Sequence, residues 1–274
     1  MTDPRILAFI AVRDEQHYLP RVLAHLATEG IETVVLDNES GPAARAQLEG
    51  LRDAGLVRSI VELPYVGHFD LLAQLQAKAR LIETCQADWV MHLDADEMPH
   101  SPIEGETLAQ AIARADDAGA NAINFNEFVF LPLEDPAAEG RAQAGFFPFH
   151  HYYHFAPAPR WRMLAWRRDA ALSNVDSGGH LLAGPGLQVW EHDMVLRHYV
   201  FLSQQHAFEK YARRRFAQAE LAIGWHHNRI NLAPRRMRFP PPARLHRLLR
   251  LDQRALDTSR PDKLHYWDWP EAAA

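Results

Sequence analysis

Cysteine is nearly absent: Cys85 stands alone in 274 residues. No internal disulfide can form, so a reducing cytoplasm is the expected compartment. Positive charge is in deficit, with 29 Lys and Arg against 35 Asp and Glu and a formal net charge of -6. Nucleic-acid binding usually needs a basic surface, so it is not expected as the main activity. No run approaches the roughly 18 apolar residues that would cross a bilayer. The opening MTDPRILAFIAV lacks the basic n-region, long apolar core and small-residue cleavage site of a signal peptide. Also missing are a G-x-G-x-x-G after the first apolar run and a G-x-x-x-x-G-K-[ST] anywhere. Those absences argue against a dinucleotide oxidoreductase and a P-loop phosphotransferase. There is no internal repeat. With 47% hydrophobic and 23% charged residues, the composition is that of an ordinary globular enzyme, long enough for one large domain or two small ones.

What is present in the first half is an alternation of two periods. ILAFIAV (6–12) is a continuous apolar run, the pattern of a strand buried on both faces. Leu19, Val22, Leu23 and Leu26 then recur at helical spacing, with Gly30 as a stop. TVVLDN (33–38), a polar helix near 42–54, VRSIVEL (57–63), a helix over 70–86 and the apolar DWVMHL continue the series, before a helix at 106–118 and AINFNEFVFL. Strand–helix alternation predicts an α/β fold, a Rossmann-like, mostly parallel sheet flanked by helices. Ligands in such sheets bind at the carboxyl ends of the strands. Asp14, Asp37 and Asp94 all fall at predicted strand ends.

The second half is less regular. Residues 132–160 read as loops, RWRMLAWRRD and LLAGPGLQVW as short strands, and 203–221 as one helix. The expected organisation is an α/β half over 1–130, an acceptor-binding half of the same domain over 131–228, and a basic extension over 229–274. In that extension Leu245, Leu248, Leu249 and Leu256 would share a face if 243–256 were helical. Such a helix would pack on its own domain in preference to an anionic membrane. His150 and His154 are four apart but lack the Glu of H-E-x-x-H, so zinc is not expected there. Phe149, Tyr152, Tyr153, Trp161 and Trp166 offer aromatic faces for a sugar, and Arg160, Arg162, Arg167 and Arg168 offer cations, with core packing and solvated surface as the ordinary alternatives.

The densest chemistry is in WVMHLDADEMP (89–99), where Asp94, Asp96 and Glu97 crowd behind an apolar strand. Hard divalent cations such as Mg²⁺ or Mn²⁺ take oxygen ligands and are commonly shared between one or two carboxylates and substrate phosphates. Glu97 is expected to support the turn.

These segments resemble one family. AVRDEQHYLPRVLAHLATEGIETVVLDNES looks like the opening of the GT-A-fold glycosyltransferases, family 2-like bacterial branch. LDADE is similar to their D-x-D, and LRHYVFLSQQHAFEKYARR to their late H-Y and Ser-capped helix. The likeness covers about residues 5–100 and, more loosely, about 176–215. It implies that Val12, Arg13 and Glu15 lie along the nucleobase and ribose, that Asp37 holds base or ribose, and that Asp94 and Asp96 bind the metal, Mn²⁺ or Mg²⁺, with His198 completing its site. The family's base follows a Gly-Gly turn as G-G-E-D. Here NVDSGGHLL puts His180 in that position with Asp176 upstream, leaving Glu191 and Asp193 as rivals. The implied activity is sugar transfer from a nucleoside-diphosphate sugar to an acceptor hydroxyl, with inversion, in bacterial surface polysaccharide or glycoconjugate synthesis. The acceptor would be a glycan, a lipid-linked or a small molecule, and the location cytoplasmic or peripheral at the inner face of the membrane. A nucleotidyltransferase would carry a Gly-rich loop after the first strand, and VRDEQHYLP has no glycine. A non-catalytic sugar-binding relative would not need to keep a metal site.

Overall fold

In the computed structural model, residues 4–133, 149–212, 214–230 and 232–270 are described. ILAFIAV forms β1 (Ile6–Val12), buried along nearly its whole length as a continuous apolar run requires. Helix α1 (Leu19–Thr28) follows, its Leu19, Val22, Leu23 and Leu26 all facing the core. The series continues through β2 (Glu32–Asp37), α2 (Pro42–Asp53), β3 (Ser59–Glu62), α3 (Leu71–Thr84) and β4 (Trp89–Leu93). Pro42 opens α2 where its missing N–H costs nothing, and the Asp70 side chain caps α3 by accepting from Ala73 N–H. The order β3-β2-β1-β4 is parallel throughout, as the alternating periods predict.

Beyond β4 come β5 (Glu97–His100), α4 (Leu108–Asp117), β6 (Ala122–Leu131), β7 (His151–Phe155), β8 (Arg162–Arg167), β9 (Met194–His198), α5 (Gln204–Ala212), α6 (Gln218–Ala222) and β10 (His246–Arg247). The sheet extends through them in the order β10-β7-β6-β8-β4, with antiparallel pairs at each step. β9 lies parallel to β6 and antiparallel to β5. The result is a mixed α/β architecture with helices flanking one central sheet. Because β8 runs against β4, its first residue, Arg162, comes to the same edge as the last residues of β4. β9 ends at that edge too, with His198 opposite Glu97 and Val129.

Several second-half expectations change. FHHYYH is strand β7, not loop. Tyr152 and Tyr153 are both buried, one toward each side, so no alternation marks it. Residues 134–148 of the expected loop lie outside the described residues. LLAGPGLQVW makes only the isolated bridges Ser173–Ala183 and Ala122–Val189. The helix expected at 203–221 divides into α5 and α6. The amphipathic helix at 243–256 is replaced by a turn at Pro242–Arg244 and by β10, because this stretch hydrogen-bonds to the β7 edge, Leu248 N–H donating to His150 O at 2.8 Å. Leu245 and Leu248 are buried while Leu249 is exposed, so the leucines do not form one face. The extension packs on the domain: Arg254 pairs with Glu29 at 2.9 Å, and Tyr266 and Trp267 join Phe201 and Tyr211 in an apolar cluster. No helix among the described residues is long and apolar enough to cross a membrane.

Candidate active site

The strand ends open into a cavity of about 990 Å³. At the end of β1 the chain turns through Asp14, which adopts a left-handed φ of 58°. Its N–H donates to Ser40 Oγ (3.1 Å), and its carboxylate accepts from Gly41 N–H (2.7 Å). The β1 and β2 turns are thereby laced together. Arg13 Nη1 donates to Asn38 O (2.8 Å), and its guanidinium lies 3.4 Å over the Tyr65 ring. Val12, Arg13, Glu15, Asn38 and Tyr65 all line the cavity.

At the end of β4, Asp94 N–H donates to Glu97 Oε2 (3.0 Å) and Glu97 N–H to Asp94 O (3.2 Å), which closes the turn. Asp94 is exposed, and both it and Asp96 line the cavity. Glu97 is fully buried and ion-paired with Arg162.

From Asp96 a row of alternating charges crosses the cavity floor. Lys210 of α5 donates to Asp96 Oδ2 (2.7 Å), and His198 Nε2 lies 3.5 Å from Asp96 Oδ1. His198 Nδ1 meets Glu127 of β6 at 2.6 Å, Glu127 lies 3.4 Å from Arg162, and Arg162 reaches Glu97. Each charge in the row has at least one opposite neighbour, which is how such groups tolerate burial. Burial presses His198 toward the neutral form, but Asp96 and Glu127 outweigh it and raise its pKa to about 9. Burial also opposes ionisation of Asp96, yet Lys210 and His198 hold it well below the usual carboxylate range.

His180 faces the cavity beside this row, stacked on Trp161 with ring centroids 4.9 Å apart. Burial, then Arg162 and Arg229, push its pKa well down, so it is neutral. Arg162 Nη1 donates to His180 Nδ1 at 2.5 Å. Arginine has only donors, so the single imidazole proton sits on Nε2. His180 can therefore donate into the cavity but is poorly suited to take up a proton, and the expected base role does not fit it. The Gly-Gly turn is needed for space: Gly179 has φ +88°, and a Cβ there would lie 2.9 Å from His92 Nε2.

Other expected site residues lie elsewhere. Asp37 is buried and is not among the lining residues; it accepts from Ser40 N–H (3.1 Å) and Arg45 (2.8 Å), which holds the turn. Asp176 is exposed and is not among the lining residues. Glu191 is exposed beside His192, and Asp193 accepts from Asn124 at 3.0 Å. Of the expected aromatic platform only Trp161 lines the cavity, while Phe149, Tyr152, Tyr153 and Trp166 are core. His154 stacks on Phe128 and meets Thr258 O.

The carboxylates of Asp94 and Asp96 suit a hard divalent ion whose remaining ligands come from a diphosphate. His198 lies beside them, its Nε2 3.5 Å from Asp96 Oδ1. Among the described residues no group of three His, Cys, Asp or Glu side chains is arranged to hold a metal by itself. Glu127, Lys210, Tyr65, Trp225, Arg229 and His265 also line the cavity. Glu127 carries a sequence signal, a charge inside the apolar run AINFNEFVFL, and Lys210 falls in the helix of the late H-Y segment.

No family model matches the chain, and no curated protein matches it. Solved structures do resemble it. One is TarS of S. aureus, 14% identical with a TM-score of 0.45 over 79% of this chain; this chain spans only 41% of TarS. The mannosyltransferase PcManGT of Pyrobaculum calidifontis, in complex with GDP-Man and Mn²⁺, is 13% identical with a TM-score of 0.42, covering 78% of this chain and 64% of its own. GalNAc-T7, with UDP, GalNAc and Mn²⁺, is 14% identical with a TM-score of 0.42, covering 72% and 44%. Those ligands belong to those structures, and at this level of similarity they assign nothing to the present chain.

Proposed function

We propose that the chain is a GT-A-type glycosyltransferase that moves a sugar from a nucleoside-diphosphate sugar to an acceptor hydroxyl with inversion. The observation that carries this reading is the pair Asp94 and Asp96 on one turn, facing a cavity with a stacking platform on one side and a cationic, aromatic wall on the other. Arg13 and Tyr65 form the platform for the nucleobase, with Val12 and Glu15 along it. Asp94 and Asp96 would hold Mn²⁺ or Mg²⁺. Bound there, the ion would supply positive charge to the departing diphosphate. Lys210 adds a fixed cation beside the same carboxylates, charge that needs no reorganisation as the leaving group develops its own.

On the acceptor side the C1–O bond to the diphosphate breaks, its electron pair leaving on the diphosphate oxygen. The acceptor oxygen forms the new bond to C1 and loses its proton. Glu127 is the carboxylate suited to take that proton, because it is buried, faces the cavity and is aligned by His198 and Arg162. His180 Nε2–H serves as a donor to a substrate oxygen, and Trp161 presents a face to the sugar. Titrating UDP, GDP, CDP and TDP into the protein by calorimetry, with Mn²⁺ and with chelator, tests this function. Binding of one of them, strengthened by Mn²⁺, is expected. Failure of all four would remove the reading.

A further inference from the structure

Several cations of the cavity are paired with carboxylates: Lys210 pairs with Asp96, and His198 lies between Asp96 and Glu127. Arg162 is shared by Glu97 and Glu127. Arg229, at the end of the short helix His227–Arg229, lines the same cavity and has no carboxylate within ion-pair distance among the described residues. Its guanidinium lies 5.5 Å over the Tyr211 ring, and its Nε is buried without a hydrogen-bond partner. A buried N–H left unsatisfied costs about 1–3 kcal/mol, more on a charged group, so such an atom points to a missing partner. Arg162, His180, Arg229 and His265 all line this one cavity. Trp161, Trp225 and Phe155 supply rings to it.

We infer that the acceptor carries an anionic group, a phosphate or a carboxylate, close to its reacting hydroxyl, and that Arg229 recognises it. This rests on the transferase reading and adds to it the chemical class of the acceptor. The planar fork of Arg229 matches two oxygens of either anion, and Nε gains the partner it lacks. His265 and His180 remain neutral and offer a hydrogen bond without further charge. The rings of Trp161 and Trp225 can take the C–H face of the same molecule.

The test holds the protein saturated with Mn²⁺ and whichever nucleoside diphosphate binds, then titrates sn-glycerol 3-phosphate, methyl glucuronide and glycerol by NMR. An anionic probe should bind and glycerol should not. The phosphate and carboxylate arms distinguish the two sources of charge. Arg229→Gln should weaken the anionic probe by at least about 10-fold, the scale of a lost charge-assisted hydrogen bond. Arg229→Lys should restore part of it, and both variants should keep the nucleoside diphosphate Kd. Equal binding of anionic and neutral probes, no binding of either anion, or indifference to Arg229→Gln would each overturn the inference. So would an equal loss of nucleoside diphosphate affinity, which would put Arg229 on the donor. A wild-type protein that binds no nucleoside diphosphate would instead fail at the underlying reading.

Discussion

The proposed donor side and the proposed acceptor side of the cavity are built differently. The proposed donor side is made by the ends of β1, β2, β3 and β4, each followed by its own turn. Its residues sit within a few positions of an apolar run, and turn-to-turn hydrogen bonds such as Asp14 to Gly41 hold them. The acceptor side draws Arg162 from the start of β8, Glu127 from inside β6, Arg229 from a short helix and His265 from the C-terminal segment. It is held by buried ion pairs between elements far apart in sequence. The first construction binds by local geometry. The second depends on the whole sheet being in register.

If that division is right, acceptor-side changes should depress turnover with donor binding intact, and donor-side changes should do the reverse. Glu127→Gln has the largest expected effect, a loss of about 10²–10⁴ in turnover, the range for a general base. Calorimetry should return an unchanged nucleoside diphosphate Kd, and a tenfold weakening there would blur the two sides. Asp96→Asn should lower turnover by about 10²–10³, as for loss of one electrostatic stabiliser of the developing charge. It should also abolish the Mn²⁺ dependence of nucleotide binding, and retained dependence would move the ion off Asp96. Tyr65→Ala should weaken nucleoside diphosphate binding roughly 10-fold, the scale of one base–aromatic stack, with little change in turnover at saturation. An unaltered Kd would put the base elsewhere.

The smallest effect is on stability against pH. Burial, with help from nearby cations, lowers the pKa of His180 and His265 and brings His206 and His226 to about 4. Below the unfolded value near 6.5 the unfolded chain binds more protons, so stability should fall as pH drops from about 6.5 toward 4. His198 has the opposite sign. Its raised pKa of about 9 gives a contribution that is full below the unfolded value and lost as pH rises through 9. Thermal melts should show the acid loss, and His206→Gln should reduce it. A melting temperature flat from pH 7 to 4.5 would contradict these shifts.

The same division decides how much could be read in advance. The parallel half and the D-x-D turn were legible, because apolar period and strand-end acids are local signals. Asp37 is buried against Arg45 of α2, a pairing that no local signal announces. β7 was hidden because both of its faces are buried. His180 lines the cavity, but its chemistry is set by Arg162, which no spacing connects to it. Arg229 has no such signal; only folding brings it to the cavity.

A crystal grown with Mn²⁺ and the nucleoside diphosphate that binds would test the central claim most directly. The base should stack at Arg13 and Tyr65, and the diphosphate should lie against Asp94 and Asp96 with the ion between them. Nucleotide found elsewhere on the protein, or a diphosphate remote from both aspartates, would contradict the account.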